Sequence, residues 1–278
     1  MSGIAIFGIT GRMGQSLVRA LRERGPAQPL RLVGAVASPS SVRLGSDAAA
    51  DGAATGVMVT ADPRTALKDA AVAVDFSLPQ CVSDNARACM AARVPLLVCA
   101  TGFDGAAREV LEAAAAVIPV LIAPNTSVGV NVLARLVKLA ARALGAGYDV
   151  EISEAHHRMK RDAPSGTALA LGEIVAAERG SKLADVAVFE RHGSEAQRRA
   201  GDIGFAVLRA GDIVGEHTVT FAVAGERVEI THRATDRVTF AHGALRAAAW
   251  LAGRPPGLYA MDDVLGSDLP GNLSDYST

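Results

Sequence analysis

The sequence predicts an α/β protein, with an N-terminal doubly wound parallel sheet and a C-terminal α+β domain that contains a mixed or antiparallel sheet. In the first half of the chain, short apolar runs alternate with longer segments of helical periodicity. That pattern is typical of a parallel sheet covered by helices on both faces. After residue 125, several strand patterns follow one another without helices between them, which indicates antiparallel or mixed pairing. The length of 278 residues is enough for about two domains.

The first domain is predicted from five apolar runs of strand length. After the first run, Met13, Leu17 and Leu21 recur four residues apart, which predicts a helix that Gly25-Pro26 ends. The strands are predicted at residues 3–8, 30–37, 71–76, 95–100 and 118–123.

The second domain combines helices with a run of strands that are joined by glycine-containing turns. After it, an alanine-rich helix predicts that the chain returns to the first domain. The domains are therefore predicted as residues 1–127 completed by 237–278, and residues 128–236. The predicted elements are helices at 129–144, 167–178 and 239–251, and strands at 148–153, 205–209, 217–222 and 228–232.

Composition argues against several classes of function. The chain has 28 basic and 29 acidic side chains, a formal charge of -1, whereas nucleic-acid-binding proteins usually have a basic excess. It starts with an apolar strand pattern instead of a basic leader, and no run of about 18 apolar residues is present, so we expect a cytoplasmic protein without a membrane segment. Cys81, Cys89 and Cys99 lack metal-binding or redox spacing, so we expect buried thiols and no metal site.

A glycine-rich turn joins the first predicted strand to the first predicted helix, with the spacing Gly-x-x-Gly-x-x-Gly at residues 8–14. Glycines allow the backbone to turn sharply and approach the pyrophosphate of a dinucleotide, and free amides at a helix start favour its negative charge. An ordinary tight turn is the alternative, but the position between strand and helix favours a Rossmann-like coenzyme site. The predicted coenzyme-binding residues of this turn are Gly8, Ile9, Thr10, Gly11, Arg12 and Met13.

The end of the second predicted strand bears on the choice of coenzyme. NAD-dependent enzymes usually place a carboxylate there to bind the ribose 2′-hydroxyl, but residues 34–41 contain neither Asp nor Glu. The missing carboxylate removes both the NAD contact and the repulsion of a 2′-phosphate, which favours NADPH, although NADH stays open. Ser38 and Arg43 would receive the phosphate, unless Arg43 is a solvated surface charge.

Two further turns follow predicted strands. Ligands of an open parallel sheet bind beside the carboxyl ends of its strands, so both turns are predicted to line the nicotinamide side of the site. A plain glycine or proline turn is the alternative for each. Their predicted coenzyme-binding residues are Cys99, Ala100 and Thr101, and Ala123, Pro124, Asn125 and Thr126.

Charged residues are densest just after the first strand of the second domain. Two His, two Arg and one Lys fall within residues 156–161, a cationic cluster that predicts an anionic ligand such as a small dicarboxylate, beside a histidine that can exchange protons. Ser165 or Thr167 is expected to cap the next helix, where the amides of Gly166 and Thr167 point at an anion. A surface loop with a simple helix cap is the alternative. His217, in a strand-turn-strand segment, is expected to be structural.

Taken in order along the chain, these segments resemble the 4-hydroxy-tetrahydrodipicolinate reductase family, also called dihydrodipicolinate reductase. The string Glu-Ala-His-His-Arg-x-Lys-x-Asp-Ala-Pro-Ser-Gly-Thr-Ala at residues 154–168 is its most diagnostic part. The resemblance implies a cytoplasmic homotetramer of the diaminopimelate route to lysine. It implies reduction of 4-hydroxy-tetrahydrodipicolinate to tetrahydrodipicolinate with NADH or NADPH and release of water. Residues 1–127 with 237–278 would bind the dinucleotide, and residues 128–236 would bind substrate and build the oligomer.

The resemblance also implies roles for single residues. His156 matches the catalytic proton donor and acceptor, and Lys160 matches the catalytic lysine. His157, Gly166 and Thr167 match substrate contacts.

The sequence departs from the family pattern in its coenzyme loops. Ser38-Pro39 replaces an acidic residue that many members carry, and Cys99-Ala100 replaces the common Gly-Thr before Thr101, so coenzyme preference does not transfer. Two other functions stay open. A different two-domain reductase acting on an amino-acid semialdehyde or keto acid would lack a reason for the His-His-Arg-x-Lys cluster. A dinucleotide-sensing regulatory protein would bind coenzyme without turnover.

Overall fold

The computed structural model describes residues 1–23, 29–194 and 196–266. The chain divides into two compact units, Met1–Val128 together with Val238–Thr278, and Gly129–Arg237. The helix end predicted at Gly25-Pro26 lies outside the described residues.

The strands of the described residues are β1 (Ser2–Phe7), β2 (Leu30–Val36), β3 (Val59–Thr60), β4 (Val72–Asp75), β5 (Leu96–Val98), β6 (Pro119–Ile122), β7 (Asp149–His156), β8 (Ala187–Val188), β9 (Ile203–Arg209), β10 (Gly215–Val223), β11 (Glu226–Ala234) and β12 (Gly257–Tyr259). The α-helices are α1 (Arg12–Glu23), α2 (Pro63–Leu67), α3 (Val82–Ala92), α4 (Gly105–Ala115), α5 (Val128–Leu144), α6 (Gly166–Glu178), α7 (Leu183–Val186), α8 (Val238–Leu251) and α9 (Met261–Leu265).

The first unit is built on a seven-stranded sheet in the order β12-β6-β5-β4-β1-β2-β3, and all its pairings are parallel. The chain winds outward in one direction from β1 and in the other from β4. The strand order therefore reverses between β1 and β4, and ligands of doubly wound sheets bind beside the carboxyl ends of the strands at such a reversal. The glycine-rich turn at residues 8–14, which we call the phosphate turn for its predicted role, follows β1 at this point of the sheet.

Both faces of this sheet are buried, as its continuous apolar strands predict. Along β1, Ile4 and Ile6 pack with α1 and α8, while Ala5 and Phe7 on the opposite face pack with α2, α3 and α4. Alternate side chains of a strand point to opposite faces, so a strand covered on both sides has no polar positions. The predicted doubly wound parallel sheet is confirmed.

The second unit contains a five-stranded sheet in the order β11-β10-β7-β9-β8. Strand β10 is antiparallel to β11 and β7, whereas β9 is parallel to β7 and β8. The sheet is therefore mixed, which confirms that alternative of the prediction. Helices α5 and α6 cover one face, where Val137, Leu171 and Phe221 belong to a common buried core.

Three strands were not predicted: β3, β8 and β12. Each has two or three residues and lies at the edge of its sheet, and so short a segment carries no readable alternation. Strand β7 is also longer than predicted, because it continues from Ser153 to His156. Glu154 and Ala155 stay extended because they pair with both β9 and β10, and His156 pairs with Arg209 of β9.

Among residues 1–23, 29–194 and 196–266, no helix combines the length and the apolar character needed to cross a bilayer. Within the same ranges, no group of three or more His, Cys, Asp and Glu side chains is placed to hold a metal ion.

Candidate active site

The covered face of the second sheet changes from apolar to polar along β7. Val150 and Ile152 point into the core, and the next two residues on that face are Glu154 and His156. On β10, which is antiparallel, His217 is the direct partner of Glu154. The strand register therefore gathers titratable side chains at one end of an otherwise hydrophobic face. All three are buried, with 3%, 9% and 4% of their surface exposed for Glu154, His156 and His217.

The carboxylate of Glu154 accepts four hydrogen bonds. Arg209 on β9 binds both oxygens, at 2.8 Å to Oε1 and 2.7 Å to Oε2. The Ser165 amide donates to Oε1 at 3.0 Å, and Nδ1 of His156 lies 2.6 Å from Oε2. Burial opposes the charge of Glu154, but the hydrogen bonds from Arg209, His156 and Ser165 outweigh burial and lower its pKa.

One ring nitrogen of His156, Nδ1, is held by Glu154, and the other, Nε2, lies near Gly215. A Cβ placed on Gly215 would lie 3.1 Å from its Nε2, so only a residue without a side chain leaves that nitrogen uncrowded. Burial lowers the pKa of His156, and the nearby charges of Lys160 and Arg209 add to the lowering, against the opposing effect of Glu154. A histidine with a lowered pKa is mostly neutral at pH 7, which suits a group that takes up and releases a proton.

His217 connects the sheet to the start of α6. Its Nε2 lies 2.9 Å from the hydroxyl of Ser165, and the same hydroxyl caps the helix by accepting from the Ala168 amide at 3.2 Å. Its ring meets that of His156 edge to face, with 5.2 Å between centroids. Burial, with the proximity of His156, lowers the pKa of His217 to about 4. His217 therefore sits beside the site as a neutral ring that fixes the helix cap.

The start of α6 presents the predicted anion-binding residues. Ser165 is its N-cap and Gly166 its first residue. Gly166 is exposed, and a Cβ placed on it would meet nothing within 4 Å, so open space lies beside this helix start. The first amides of a helix have no acceptor within the helix and carry its positive dipole end. This helix start therefore favours an anion such as a carboxylate beside Gly166.

Lys160 and His157 lie in the turn after β7. The Lys160 amide donates to the His157 carbonyl, and its ammonium is 2.9 Å from a carboxylate oxygen of Asp162. The side chain of Lys160 is 21% exposed, and its charge reaches both His156 and His217. The structure thus brings Lys160, His156 and the helix start to the same end of the second sheet.

The sequence alone assigned no role to three residues of this site: Glu154, Arg209 and Gly215. The two-residue spacing of Glu154 and His156 on a strand was the available signal, because it places both side chains on one face. Arg209 is 55 residues away from Glu154 along the chain. Only the parallel pairing of β7 with β9 brings it to the carboxylate.

The coenzyme turn of the first unit has the geometry of a phosphate cradle. Gly8 has φ +77°, in the left-handed region, and a Cβ there would lie 2.6 Å from the Phe76 carbonyl oxygen. A Cβ on Gly14 would lie 2.4 Å from the Ile9 carbonyl oxygen. Arg12 begins α1 and is exposed, so its amide and guanidinium are placed to meet an anion. The turn fits the pyrophosphate of a dinucleotide because side chains are excluded where the backbone must approach it.

The loop after β2 is braced from within. Ser38 and Ser40 are exposed, with their hydroxyls 2.9 Å apart. Arg43 donates to the carbonyls of Asp47 and Ala49 at 2.6 and 2.7 Å and is half-buried. The sequence offered Arg43 as a phosphate ligand or a solvated charge; in the structure one of its terminal nitrogens braces the loop through two carbonyls, and its role towards a phosphate stays a prediction.

The same loop is fixed by Asp47 and Gln15. Asp47 accepts the amides of Ala49, Thr55 and Gly56. Hydrogen bonds led by the one from the Thr55 amide lower the pKa of Asp47 to about 2. Gln15 of α1 donates to the carbonyls of Ile9 and Ala48. The loop and the phosphate turn therefore share one hydrogen-bonded frame.

The remaining predicted coenzyme residues differ in what they expose. Cys99, Ala100, Ala123 and Thr126 are buried, whereas Thr101 is exposed. The Thr126 hydroxyl donates to the Phe240 carbonyl at 2.8 Å, so this side chain serves the fold. Pro124 is exposed, and the Asn125 side chain accepts the Ser127 amide at 3.0 Å. These segments follow β5 and β6, at the carboxyl edge where ligands bind.

Cys89 and Cys99 are buried and Cys81 is half-buried, all three as free thiols. Burial raises the pKa of the Cys89 and Cys99 thiols, with the Asp75 carboxylate adding to the effect. A thiol with a raised pKa is a poor nucleophile and metal ligand.

A doubly wound unit with a glycine-rich turn after its first strand, followed by a separate unit that carries a buried histidine held by a carboxylate, is typical of two-domain nicotinamide-dependent oxidoreductases. This chain is an oxidoreductase of that class.

The comparison with known proteins identifies the family within this class. The family models described as dihydrodipicolinate reductase, N-terminus, and dihydrodipicolinate reductase, C-terminus, match residues 2–126 and 129–265. The chain belongs to the dihydrodipicolinate reductase family, and the family assignment made from the sequence is confirmed.

Relatives of known name agree over nearly the full length. The 4-hydroxy-tetrahydrodipicolinate reductase of Thiobacillus denitrificans is 52% identical over 95% of this chain and 98% of its own. That of Anaeromyxobacter dehalogenans is 50% identical over 96% and 98%. The fold is similar to that of a dipicolinate-bound dihydrodipicolinate reductase from Paenisporosarcina sp. TG-14, with a TM-score of 0.74, 23% identity, and 94% and 97% of the two chains covered.

Proposed function

We propose that this protein reduces 4-hydroxy-tetrahydrodipicolinate to tetrahydrodipicolinate with release of water, in the diaminopimelate route to lysine. The observation that carries the proposal is the buried His156, which is clamped by Glu154 beside the cationic turn and the helix start at Gly166. This arrangement combines a proton-exchanging group with two separate places for carboxylates. A cyclic dicarboxylate satisfies both.

The residues of the second unit bind and protonate the substrate. The amides of Gly166 and Thr167 receive one carboxylate, and His157 and Lys160 receive the other. Such positioning is worth several kcal/mol, roughly a 10³-fold effect or more on the rate. A reduced nicotinamide supplies a hydride when it is bound. His156, once it has taken up a proton at Nε2, gives the balancing proton as the imidazolium, or Lys160 gives it from its ammonium, a contribution of roughly 10²–10⁴-fold.

The first unit binds the coenzyme through the turn at residues 8–13, the turns at 99–101 and 123–126, and Ser38. We propose NADPH as the better coenzyme. Residues 37–46, which follow β2, contain neither Asp nor Glu to repel a 2′-phosphate, and this segment carries the exposed hydroxyls of Ser38 and Ser40. Dissociation constants for NADPH and NADH, measured by fluorescence titration, test this preference. A tighter constant for NADH would refute it.

We also propose that the enzyme is a cytoplasmic homotetramer, and the exposed face of the second sheet supports the assembly. Leu208 is 54% exposed there, and its neighbours on that face include Ser153, Ala206 and Thr218. These side chains are uncharged and lie on paired strands, which suits association with a second copy. Light scattering after size exclusion should give a tetramer, and Leu208→Asp should shift it to smaller species. A monomeric wild type would refute the assembly without touching the proposed reaction.

A coupled assay tests the reaction. The upstream synthase supplies substrate from pyruvate and aspartate semialdehyde, and the loss of reduced-nicotinamide absorbance is followed with NADPH and NADH in parallel. We expect rapid oxidation that falls by about 10²-fold or more in Lys160→Ala. The matched control is Lys138→Ala, an exposed lysine of α5 that is 3.8 Å from Glu178. Coenzyme binding without oxidation would overturn the proposed reaction in favour of a sensor or another reductase.

A further inference from the structure

Among the residues that the structure describes, the carboxylate of the buried Glu154 has only hydrogen-bond donors as partners. Its four partners are the two terminal nitrogens of Arg209, the Ser165 amide and the His156 ring. An ionised carboxylate can only accept hydrogen bonds, so the nitrogen of His156 that faces it must carry a proton. This nitrogen is Nδ1. In the neutral ring the proton is then absent from Nε2, which becomes the nitrogen with a free lone pair.

Arg209 has a second effect on the histidine. A carboxylate alone would favour the imidazolium form of its partner and hold His156 protonated. Arg209 binds Glu154 through both oxygens and also donates to the Asp162 carbonyl at 2.7 Å, so the positive charge is fixed in place. The pair Glu154–Arg209 is close to neutral as a unit. It can orient the ring without making it strongly basic.

We propose that Glu154 and Arg209 are positioning residues for His156: Glu154 fixes the proton on Nδ1 and so assigns Nε2 as the reacting nitrogen, and Arg209 offsets the carboxylate charge. The inference rests on the proposed reaction only for its kinetic consequence. The proton position itself is a property of the folded protein. Neither residue touches the substrate in this assignment.

The proton position is directly measurable. Nitrogen-15 NMR of histidine-labelled protein distinguishes a protonated from a bare ring nitrogen, and His156→Asn identifies the signal of His156 by its loss. At pH 8 we expect His156 to be protonated at Nδ1 and bare at Nε2. A bare Nδ1 in the wild-type protein overturns the inference, whether or not the protein turns over substrate.

Glu154→Gln tests the kinetic consequence. The amide keeps the shape but removes the charge, so both ring tautomers become accessible and only one is productive. We expect kcat to fall by about 10- to 100-fold, while the KM for coenzyme stays within about twofold. The matched control is Glu178→Gln, which removes another poorly exposed carboxylate that binds an arginine, Arg142, at 3.0 Å.

Arg209→Gln tests the second effect through the pH profile. The charged and titratable groups that bear on His156 are Glu154 on its own strand, Lys160 in the next turn, Arg209 on β9 and His217 on β10. Removal of the Arg209 charge leaves the carboxylate uncompensated. The pKa of His156 should therefore rise, and the limb of the kcat profile that reports its titration should move to higher pH. A merely structural role of Arg209 would instead lower activity equally at every pH.

The results of these experiments distinguish a failure of the proposed reaction from a failure of the positioning pair. No turnover by the wild type, with the expected proton on Nδ1, refutes the reaction and keeps the positioning pair. Turnover with equal losses in Glu154→Gln and Glu178→Gln, or an unshifted profile in Arg209→Gln, refutes the positioning pair. Thermal unfolding of each variant shows that it is folded, and the wild-type NMR result decides the proton position if Glu154→Gln does not fold.

Discussion

Gly215→Ala tests whether access to Nε2 of His156 limits the reaction. Gly215 begins β10 and its φ is not in the left-handed region, so alanine can adopt its backbone conformation. The added Cβ would lie 3.1 Å from Nε2 and 3.4 Å from Cδ2 of His156. A hydrogen-bond partner of Nε2 must lie about 2.7–3.2 Å from it, the distance at which the added methyl carbon would lie. The methyl group therefore crowds the nitrogen or pushes the ring aside by a few tenths of an ångström.

The expected effect combines displacement of the ring with crowding of Nε2. A misplacement of about 1 Å costs roughly 10²-fold in rate, so a shift of a few tenths of an ångström alone costs only a few-fold. The methyl group also occupies hydrogen-bonding space at Nε2, so we expect kcat/KM to fall by about 10- to 100-fold, equivalent to about 1.4–2.7 kcal/mol. Overpacking also costs about 1–3 kcal/mol of stability, which thermal unfolding reports separately. The coenzyme dissociation constant should not change, because Gly215 lies in the second unit.

The coupled assay gives kcat and KM for this variant, with Gly147→Ala as the control. A Cβ on Gly147 meets nothing within 4 Å, and its φ is also outside the left-handed region, so its activity should match the wild type. If folded Gly215→Ala keeps kcat/KM within about twofold of the control, Nε2 is not the reacting nitrogen. The same result would contradict the role proposed for His156.

Two further predictions concern coenzyme binding and pH. Gly8→Ala forces a side chain into φ +77° and against the Phe76 carbonyl, so we expect a loss of about 1–2 kcal/mol in stability and at least tenfold weaker NADPH binding; unchanged binding in a fluorescence titration would contradict the phosphate cradle. His217 has a pKa of about 4 in the folded protein against about 6.5 when unfolded, so its stabilising effect is present above pH 6.5 and is lost as the pH falls towards 4, by about 2 kcal/mol between pH 7 and 5. Urea unfolding at pH 7 and pH 5 should show this loss of unfolding free energy in the wild type but not in His217→Gln. An equal pH dependence of stability in the two proteins would refute the prediction.

The sequence by itself determined the fold class and the family. Apolar runs that alternate with helical segments are local patterns. A doubly wound sheet that is buried on both faces is the architecture that requires them. The glycines at 8–14 and the charged string at 154–168 are contiguous, so their chemistry is readable without a structure. Short edge strands such as β3 and β12 were not readable, because two or three residues carry no periodicity.

The tertiary structure decided how His156 is held. Glu154 meets Arg209 across 55 residues of chain through parallel pairing of β7 with β9, and His217 through antiparallel pairing with β10. Strand register is set by the packing of whole sheet faces, so no local pattern contains it. Arg43 shows the same limit, since the sequence did not reveal that its guanidinium donates to two carbonyls of its own loop. Residue types fixed the chemistry that is available, and the pairing of distant strands decided which groups carry it out.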